Sequence, residues 1–370
     1  LLARLAEHLA LADAGGRPAR RGAEAVAMAR AAGDDGALAA ALLGRHAALL
    51  DIEHVEERRA VIDEALAVAE RLEAGELVAL SLHWRIYDLV ELGDLEAAGR
   101  SYERLHALAR ELHQPLYSHA ALAWRGVAAH LNGHFDEAER IAREALRIAE
   151  AAGAPEARAF FLTQLFAVRR EQGRLAELTD PLERLARGPG PVGVSWRSTL
   201  PFVLVEAGEP ERARVAYEAV AAGDFAALPG SLFRLTGLIC LAEACAALGD
   251  TAGADSLHAR LEPHADRLVQ TGFSGCWGSV RRFLGLLAAT AGRADEARAH
   301  FEAALERHIE LEAPGLVART RCDLGELLLA RGERERGLEL LAAAGAAAAD
   351  LGMAGLVSRS DVSRARLGAL

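Results

Sequence analysis

The stretch Phe283-Leu284-Gly285-Leu286-Leu287-Ala288-Ala289-Thr290-Ala291-Gly292-Arg293-Ala294-Asp295-Glu296-Ala297-Arg298-Ala299-His300-Phe301 decides the fold. Two alanine-rich apolar runs flank Gly292, and each is long enough for several helical turns without proline. Ala297, Phe301 and Ala304 are spaced by four and three residues, which lays them along one stripe of a helix. Gly285 lies seven positions before Gly292 and Ala297 five after it. Small residues at both places let two helices approach closely where larger ones would wedge them apart. The segment therefore reads as an antiparallel helical hairpin turned at Gly292.

The same turn recurs outward along the chain. Gly93, Gly133, Gly173, Gly208, Gly249, Gly292 and Gly332 follow at strides of 40, 40, 35, 41, 43 and 40 residues. A small residue precedes several of them by seven positions (Gly126, Ala242, Gly285, Gly325), and alanine follows most by five (Ala98, Ala138, Ala213, Ala254, Ala297). Leu50 to Val55 and Gly15-Gly16 occupy the two earlier turns, which gives about nine hairpins, the first of them incomplete. Pro115, Pro155 and Pro314 fall 22 positions beyond their glycines and are expected to end the second helices, so the long stride comes from a lengthened second helix. The predicted fold is all-α: a right-handed superhelical solenoid forming a single domain over residues 1–370. Arg187 to Gly193 is too rich in proline and glycine to be helical, and a kink is expected near 187–194; Pro229-Gly230 and Gly272 to Gly278 read as longer connections.

Composition narrows the function. Of 370 residues, 52% are hydrophobic and 5% aromatic, which suits packed helices and excludes a β-rich fold. The net charge is −11 and every basic side chain is arginine, with no basic stripe, so direct nucleic-acid binding is not expected. A Walker phosphate loop needs a lysine, and the chain has none. Cys240, Cys245, Cys276 and Cys322 lie in apolar stretches read as helical, lack zinc-type spacing, and are expected to be small buried hydrophobes. No apolar run is long enough to span a membrane, and a cytoplasmic location is expected. Leu1 to Ala14 already reads as helix, so the chain is expected to be the C-terminal part of a longer protein.

The hairpin pattern resembles the tetratricopeptide repeat, which has a Leu-Gly pair in its first helix and a period of about 34 residues. Leu284-Gly285 with Ala297 and Phe301, and Leu324-Gly325 with Leu341 and Ala344, match it best, although the period here is longer. Leu268 to Met353 resembles more specifically the C-terminal repeats of large actinobacterial ATP-binding regulators: LuxR-type activators, antibiotic regulatory proteins and class III nucleotide cyclases. The residues that carry this are Gly278-Ser279-Val280, Arg282 to Ala289, Gly292 to Ala297 and Val317 to Arg321. The resemblance implies a sensor or docking module in which an effector and a nucleotide-driven switch lie elsewhere in the protein.

In tetratricopeptide geometry the inner face is lined by positions thirteen, ten, nine, six, three and two before the turn glycine. Before Gly93 these include His83, Trp84 and Tyr87; before Gly133, Trp124 and His130; before Gly173, Phe160, Thr163, Gln164, Ala167, Arg170 and Glu171; before Gly208, Phe202 and Glu206. Trp84 and Trp124 hold the same repeat position, and each is followed by an arginine, Arg85 and Arg125. Aromatic rings beside guanidinium groups suit a groove for a peptide or a planar ligand; the alternative is that the indoles fill space between hairpins. The candidate groove is His83, Trp84, Tyr87, Trp124, Arg125, His130, Phe160, Gln164, Arg170 and Phe202. His130 and His134 straddle Gly133 and do not form a metal pair, and the other histidines are expected to be solvated. Asp323 and Glu326 project inward without a nucleophile or metal beside them, so no catalytic site or cofactor is assigned.

The leading expectation is a noncatalytic sensor and protein-interaction domain of a multidomain signalling or transcriptional regulator. A protein, a peptide or a small-molecule inducer in the concave groove would change curvature or release the switch. A standalone scaffold and the regulatory tail of a nucleotide cyclase are the alternatives, and the apolar ends of such an array leave a homo-oligomer open.

Overall fold

All seven turn glycines adopt positive φ, between 70° and 83°. At Gly93 the glycine N–H donates to the Val90 carbonyl and the Asp94 N–H to that of Leu89, and the same two bonds recur at Gly133, Gly173, Gly208, Gly249, Gly292 and Gly332. This is the six-to-one and five-to-two closure of a helix C-terminus, which satisfies carbonyls left over by the last turn and needs a left-handed residue. At Gly93 and Gly249 an aspartate follows immediately and caps the next helix: Asp94 Oδ1 accepts from the Ala97 N–H (3.0 Å) and Asp250 Oδ1 from that of Gly253 (3.1 Å).

The computed structural model describes residues 17–154, 157–225, 228 and 232–365. These form 18 α-helices: α1 (Arg17–Ala32), α2 (Asp35–Ala48), α3 (Val55–Arg71), α4 (Gly75–Glu91), α5 (Leu95–Leu112), α6 (Pro115–Leu131), α7 (Phe135–Ala151), α8 (Ala157–Gln172), α9 (Thr179–Ala186), α10 (Gly190–Glu206), α11 (Pro210–Ala221), α12 (Arg234–Leu248), α13 (Thr251–Leu261), α14 (Val280–Thr290), α15 (Ala294–Glu310), α16 (Pro314–Ala330), α17 (Arg334–Asp350) and α18 (Ala354–Ala365). The chain is an all-α helical repeat. From α2 to α17 the helices follow one another as eight helix–turn–helix repeats among the described residues, with α1 before and α18 after them. The expected first helix, Leu1 to Ala14, the turn at Gly15-Gly16, Pro155 and Pro229-Gly230 lie outside the described residues.

The small residues act as the spacing predicts. A Cβ on Gly285 would meet the Phe301 ring at 2.7 Å, and one on Gly325 would meet Leu341 at 2.9 Å. Ala98, Ala138, Ala213, Ala254 and Ala297 are all buried. The 35-residue stride after Gly173 has a plain cause: the second helix there is a 3₁₀ turn, Leu175–Leu178, followed by only the eight residues of α9.

Four local expectations need correction. Pro115 and Pro314 do not end the second helices; they open α6 and α16, where a first-turn proline loses no helical hydrogen bond. Gly190 to Gly193 is helical, because Pro191 sits in the first turn of α10 and the break is confined to residues 187–189. The connection near Gly272 to Gly278 is an antiparallel hairpin of β1 (Leu268–Gln270) and β2 (Cys276–Ser279), so Cys276 lies in a strand; all four cysteines are buried. His46, His258, His264 and His308 are buried, not solvated.

The chain divides into two compact units. Unit 1 takes the described residues of Leu1–Trp124, Arg143–Arg158 and Pro229–Arg234; unit 2 takes those of Arg125–Ala142, Ala159–Leu228 and Leu235–Leu370. No helix of the described residues is long and apolar enough to cross a membrane.

Candidate functional site

In unit 1 the inner row is built around a buried carboxylate. Asp88 of α4 accepts from Arg58 Nε of α3 (2.6 Å) and meets His46 Nε2 of α2 at 2.9 Å, while Arg58 also grips Glu91 and donates to the Asp51 carbonyl at 3.2 Å. Three helices are thus tied through one guanidinium, whose charge the two acids stabilise against the cost of burial, raising its pKa further. Rings gather beside this quartet: Trp84 lies 5.2 Å from His46 and 6.2 Å from Tyr87, and His83 lies 5.4 Å from Trp84 and 5.9 Å from Trp124. The Trp124 indole N–H donates to His83 Nδ1 (3.1 Å), so that nitrogen carries no proton. Burial between these rings, with His119 and His46 nearby, pushes His83 well below the usual histidine range.

The structure therefore brings His83, Trp84, Tyr87 and Trp124 together. It parts the arginines from them. Arg85 binds Asp63 (2.7 Å) and Ser101, and Arg125 binds Glu137 (2.9 Å), in each case toward second helices. Tyr87 and Trp124 are buried, His83 and Trp84 half-buried, and Arg125 exposed.

In unit 2 the inner row of α8 is occupied by the chain itself. The β1–β2 hairpin lays Phe273 on Phe160 (centroids 6.1 Å apart) and joins Ser274 Oγ to Thr163 Oγ1 at 2.7 Å. A Cβ on Gly275 would fall 2.9 Å from Ala167 and 3.4 Å from the His130 ring, and Trp277 stacks under Arg170 with the guanidinium carbon 4.1 Å from the ring centre. Successive hairpin residues thus meet positions thirteen, ten, six and three before Gly173. Phe166, Trp196 and Phe202 complete the aromatic packing around Trp277. Of the candidate groove residues, His130, Gln164, Arg170 and Phe202 are buried here, and Phe160 is half-buried.

Beyond the hairpin, the inner row carries a continuous chain of alternating charge. Arg319 of α16 donates to Glu171 of α8 (2.8 Å), and Glu171 accepts from Arg170. Glu243 of α12 accepts at one oxygen from both Arg170 (2.8 Å) and Arg282 of α14 (2.8 Å). Arg282 donates to Asp323 of α16 (2.6 Å), whose other oxygen lies 2.8 Å from Arg359 of α18. Arg359 also holds Glu326, which accepts from Ser363 at 2.7 Å.

Burial alone would raise the carboxyls, but the adjoining guanidiniums outweigh it. Arg319 and Arg170 hold Glu171 down at about 2, and Arg282, Arg170 and Arg319 hold Glu243 lower still. The chain runs from fully buried members to accessible ones: side-chain exposure is 0% at Arg282, 30% at Glu326 and 37% at Arg359. Glu206, at the end of α10, is exposed and forms no hydrogen bond or ion pair among the described residues, yet protein surrounding its other sides raises its pKa, a rise that Arg319 partly offsets.

Sequence reasoning placed Arg170, Asp323 and Glu326 on this row but left out Glu243, Arg282, Arg319 and Arg359. Three of these could have been found by the same offsets: Glu243 lies six before Gly249, Arg282 ten before Gly292 and Arg319 thirteen before Gly332, each a charge within an apolar first helix. The α16 acids Asp323 and Glu326 are bound to arginines, which leaves them as structural partners and not as an acid–base pair.

No family model and no curated protein matches the chain. Among solved structures it is similar to a circular tandem repeat protein with novel repeat topology and enhanced subunit contact surfaces, at 16% identity and a TM-score of 0.17, over 99% of this chain and 93% of that one. The fold described here rests on the hairpins themselves.

Proposed function

We propose that this chain is a noncatalytic protein-interaction and sensing segment of a multidomain regulator, and that it takes its partner on the inner row of unit 2. The observation that carries this is Glu206: an exposed carboxylate with no hydrogen bond or ion pair among the described residues, lying in the field of Arg319, Glu243 and Arg170 of a charge chain whose members are bound to one another. A paired, buried charge holds helices together, whereas an accessible one at the same row is available to a second molecule. The α8 stretch supports the reading, because it is lined by an extended segment of this chain in the way an external peptide would line it. The favoured partner is an extended peptide with a basic residue for Glu206 and an acidic one for Arg359. The link to a regulator comes from the resemblance of Leu268 to Met353, and the reading frame upstream of Leu1 tests it: a Walker loop with a helix-turn-helix supports it, and a cyclase domain replaces it.

The docking face is tested with an immobilised peptide library that varies charge. The native chain is expected to retain peptides that combine basic and acidic residues, and Glu206→Gln to lose them by tenfold or more, about 1.4 kcal/mol. Equal retention by both proteins would remove Glu206 from the site. The half-buried His83 and Trp84 of unit 1 are examined in the same screen through Trp84→Phe, whose unchanged profile would confine docking to unit 2.

A further inference from the structure

On the second helices of unit 2, His258 of α13 and Glu296 and His300 of α15 bring three donor atoms within 4.8 Å of one another. We propose that these residues bind a divalent transition-metal ion of the zinc class, linking two successive hairpins. Glu296 and His300 are four apart and share one face of α15, a common pairing that is not a site by itself. The third group changes the reading. His258 is buried at 6% exposure, and its Nε2 lies 3.0 Å from Glu296 Oε1 without a hydrogen bond forming; that nitrogen has no other hydrogen-bond partner among the described residues. A buried imidazole lone pair and a carboxylate oxygen facing each other off-line are both satisfied by a cation between them.

The distances fit small adjustments. Zn–N and Zn–O bonds of about 2.0–2.1 Å set ligand atoms roughly 3.3 Å apart in a tetrahedron. Here Glu296 Oε1 stands 3.0 Å from His258 Nε2 and 3.9 Å from His300 Nε2, with the two imidazole centres 5.6 Å apart. The other carboxylate oxygen, Oε2, accepts from Arg293 Nε at 2.6 Å, and Arg293 in turn pairs with Asp255 of α13. That clamp turns Oε1 toward the histidines, the outer support that metal-bound carboxylates usually have. Two imidazoles and one carboxylate favour zinc, cobalt or nickel over calcium or magnesium, which prefer all-oxygen sets. His300 and Glu296 are half-buried, so solvent can supply a fourth ligand. The four cysteines are buried and do not compete for the ion.

The test uses the full chain without a histidine tag, stripped with a chelator and titrated with Co(II) while its visible absorption is followed, then displaced with Zn(II). One equivalent with an intense tetrahedral-type spectrum is expected. His300→Gln, at the half-buried ligand, should weaken binding at least 100-fold with unchanged circular dichroism, and Arg293→Gln about 10- to 100-fold. His258→Gln repeats the test at the buried position, provided that variant folds. Absence of binding would leave an ordinary histidine–carboxylate pair only, and binding kept by both His300→Gln and Glu296→Gln would place the ion elsewhere; either result overturns the proposal.

Discussion

The two units bury charge in different ways. In unit 1 a quartet is buried throughout: His46, Arg58, Asp88 and Glu91 all lie inside, and so do both carboxylate partners of Arg58. In unit 2 the alternating chain starts in the interior at Arg170 and Arg282 and ends in water at Arg359 and Glu326. Taking an ion out of water costs several kcal/mol, and only alternating partners in good geometry offset it. A buried quartet fixes the packing of its helices, whereas an open chain fixes packing at one end and presents charge at the other. Similar residue types thus serve as an interlock in one unit and as an interlock with a binding edge in the other.

The largest effect should come from cutting each network at its interior. Arg282→Met would take from buried Glu243 and Asp323 the guanidinium they share, and Arg58→Met would do the same to Asp88 and Glu91, leaving in each interior one more carboxylate than the remaining cations offset; each is expected to cost about 3–5 kcal/mol in chemical denaturation. Arg359→Met, at the accessible end, should cost less than about 1 kcal/mol, because Asp323 keeps Arg282. The contrast between units fails if Arg282→Met is as mild as Arg359→Met, since the interior of unit 2 would then be no interlock.

Much of this architecture was legible in the residues. The glycine stride located the hairpin turns because a left-handed C-cap leaves a one-residue signature, and Gly285 with Ala297 disclosed the close helix pair. The inner-row offsets pointed to Arg170 and Phe202, and the same offsets carried further along the chain reach Glu243 and Arg282, but offsets cannot tell whether a charge on an inner face meets water or a partner on another helix. That depends on contacts such as Arg319 with Glu171, 148 residues apart. The β1–β2 hairpin was illegible for a related reason. Its seven strand residues are too few for a periodic pattern, and they are held by α8 more than a hundred positions earlier.

A second, medium-sized effect separates charge from neutral burial. His308 in unit 2 accepts from the Ser279 N–H at Nε2 (2.8 Å) and meets Thr320 Oγ1 at Nδ1 (2.9 Å), so the neutral ring is fully engaged. Burial, with Arg282 close by, pushes its pKa down to about 3. The unfolded chain takes up a proton near pH 6.5 and the folded one does not, so this stability is present above about 6.5 and is lost as pH falls toward 3, at up to about 1.4 kcal/mol per pH unit. Glu171, held at about 2, adds a loss of the same sign only below its ordinary value of about 4.3. Denaturation midpoints between pH 7 and 5 should therefore fall in the native chain and fall less in His308→Gln. An unchanged slope would assign the sensitivity to other histidines, with His83 of unit 1 the first to examine.

The smallest effect is the most informative about the open edge. Glu206 has a raised pKa and no ion pair among the described residues, so its charged form is mildly disfavoured in the folded state and regains that cost as pH falls through its folded pKa. Glu206→Gln should leave stability at pH 7 unchanged or slightly higher, within about 0.5 kcal/mol, as for most accessible substitutions. Glu243→Gln, the same substitution on the next first helix but with Arg170 and Arg282 both bound to the residue, should instead be strongly destabilising. A measurable loss from Glu206→Gln would mean that this carboxylate is engaged in holding the helices, and the inner row near Arg319 in unit 2 would then be as closed as the quartet in unit 1.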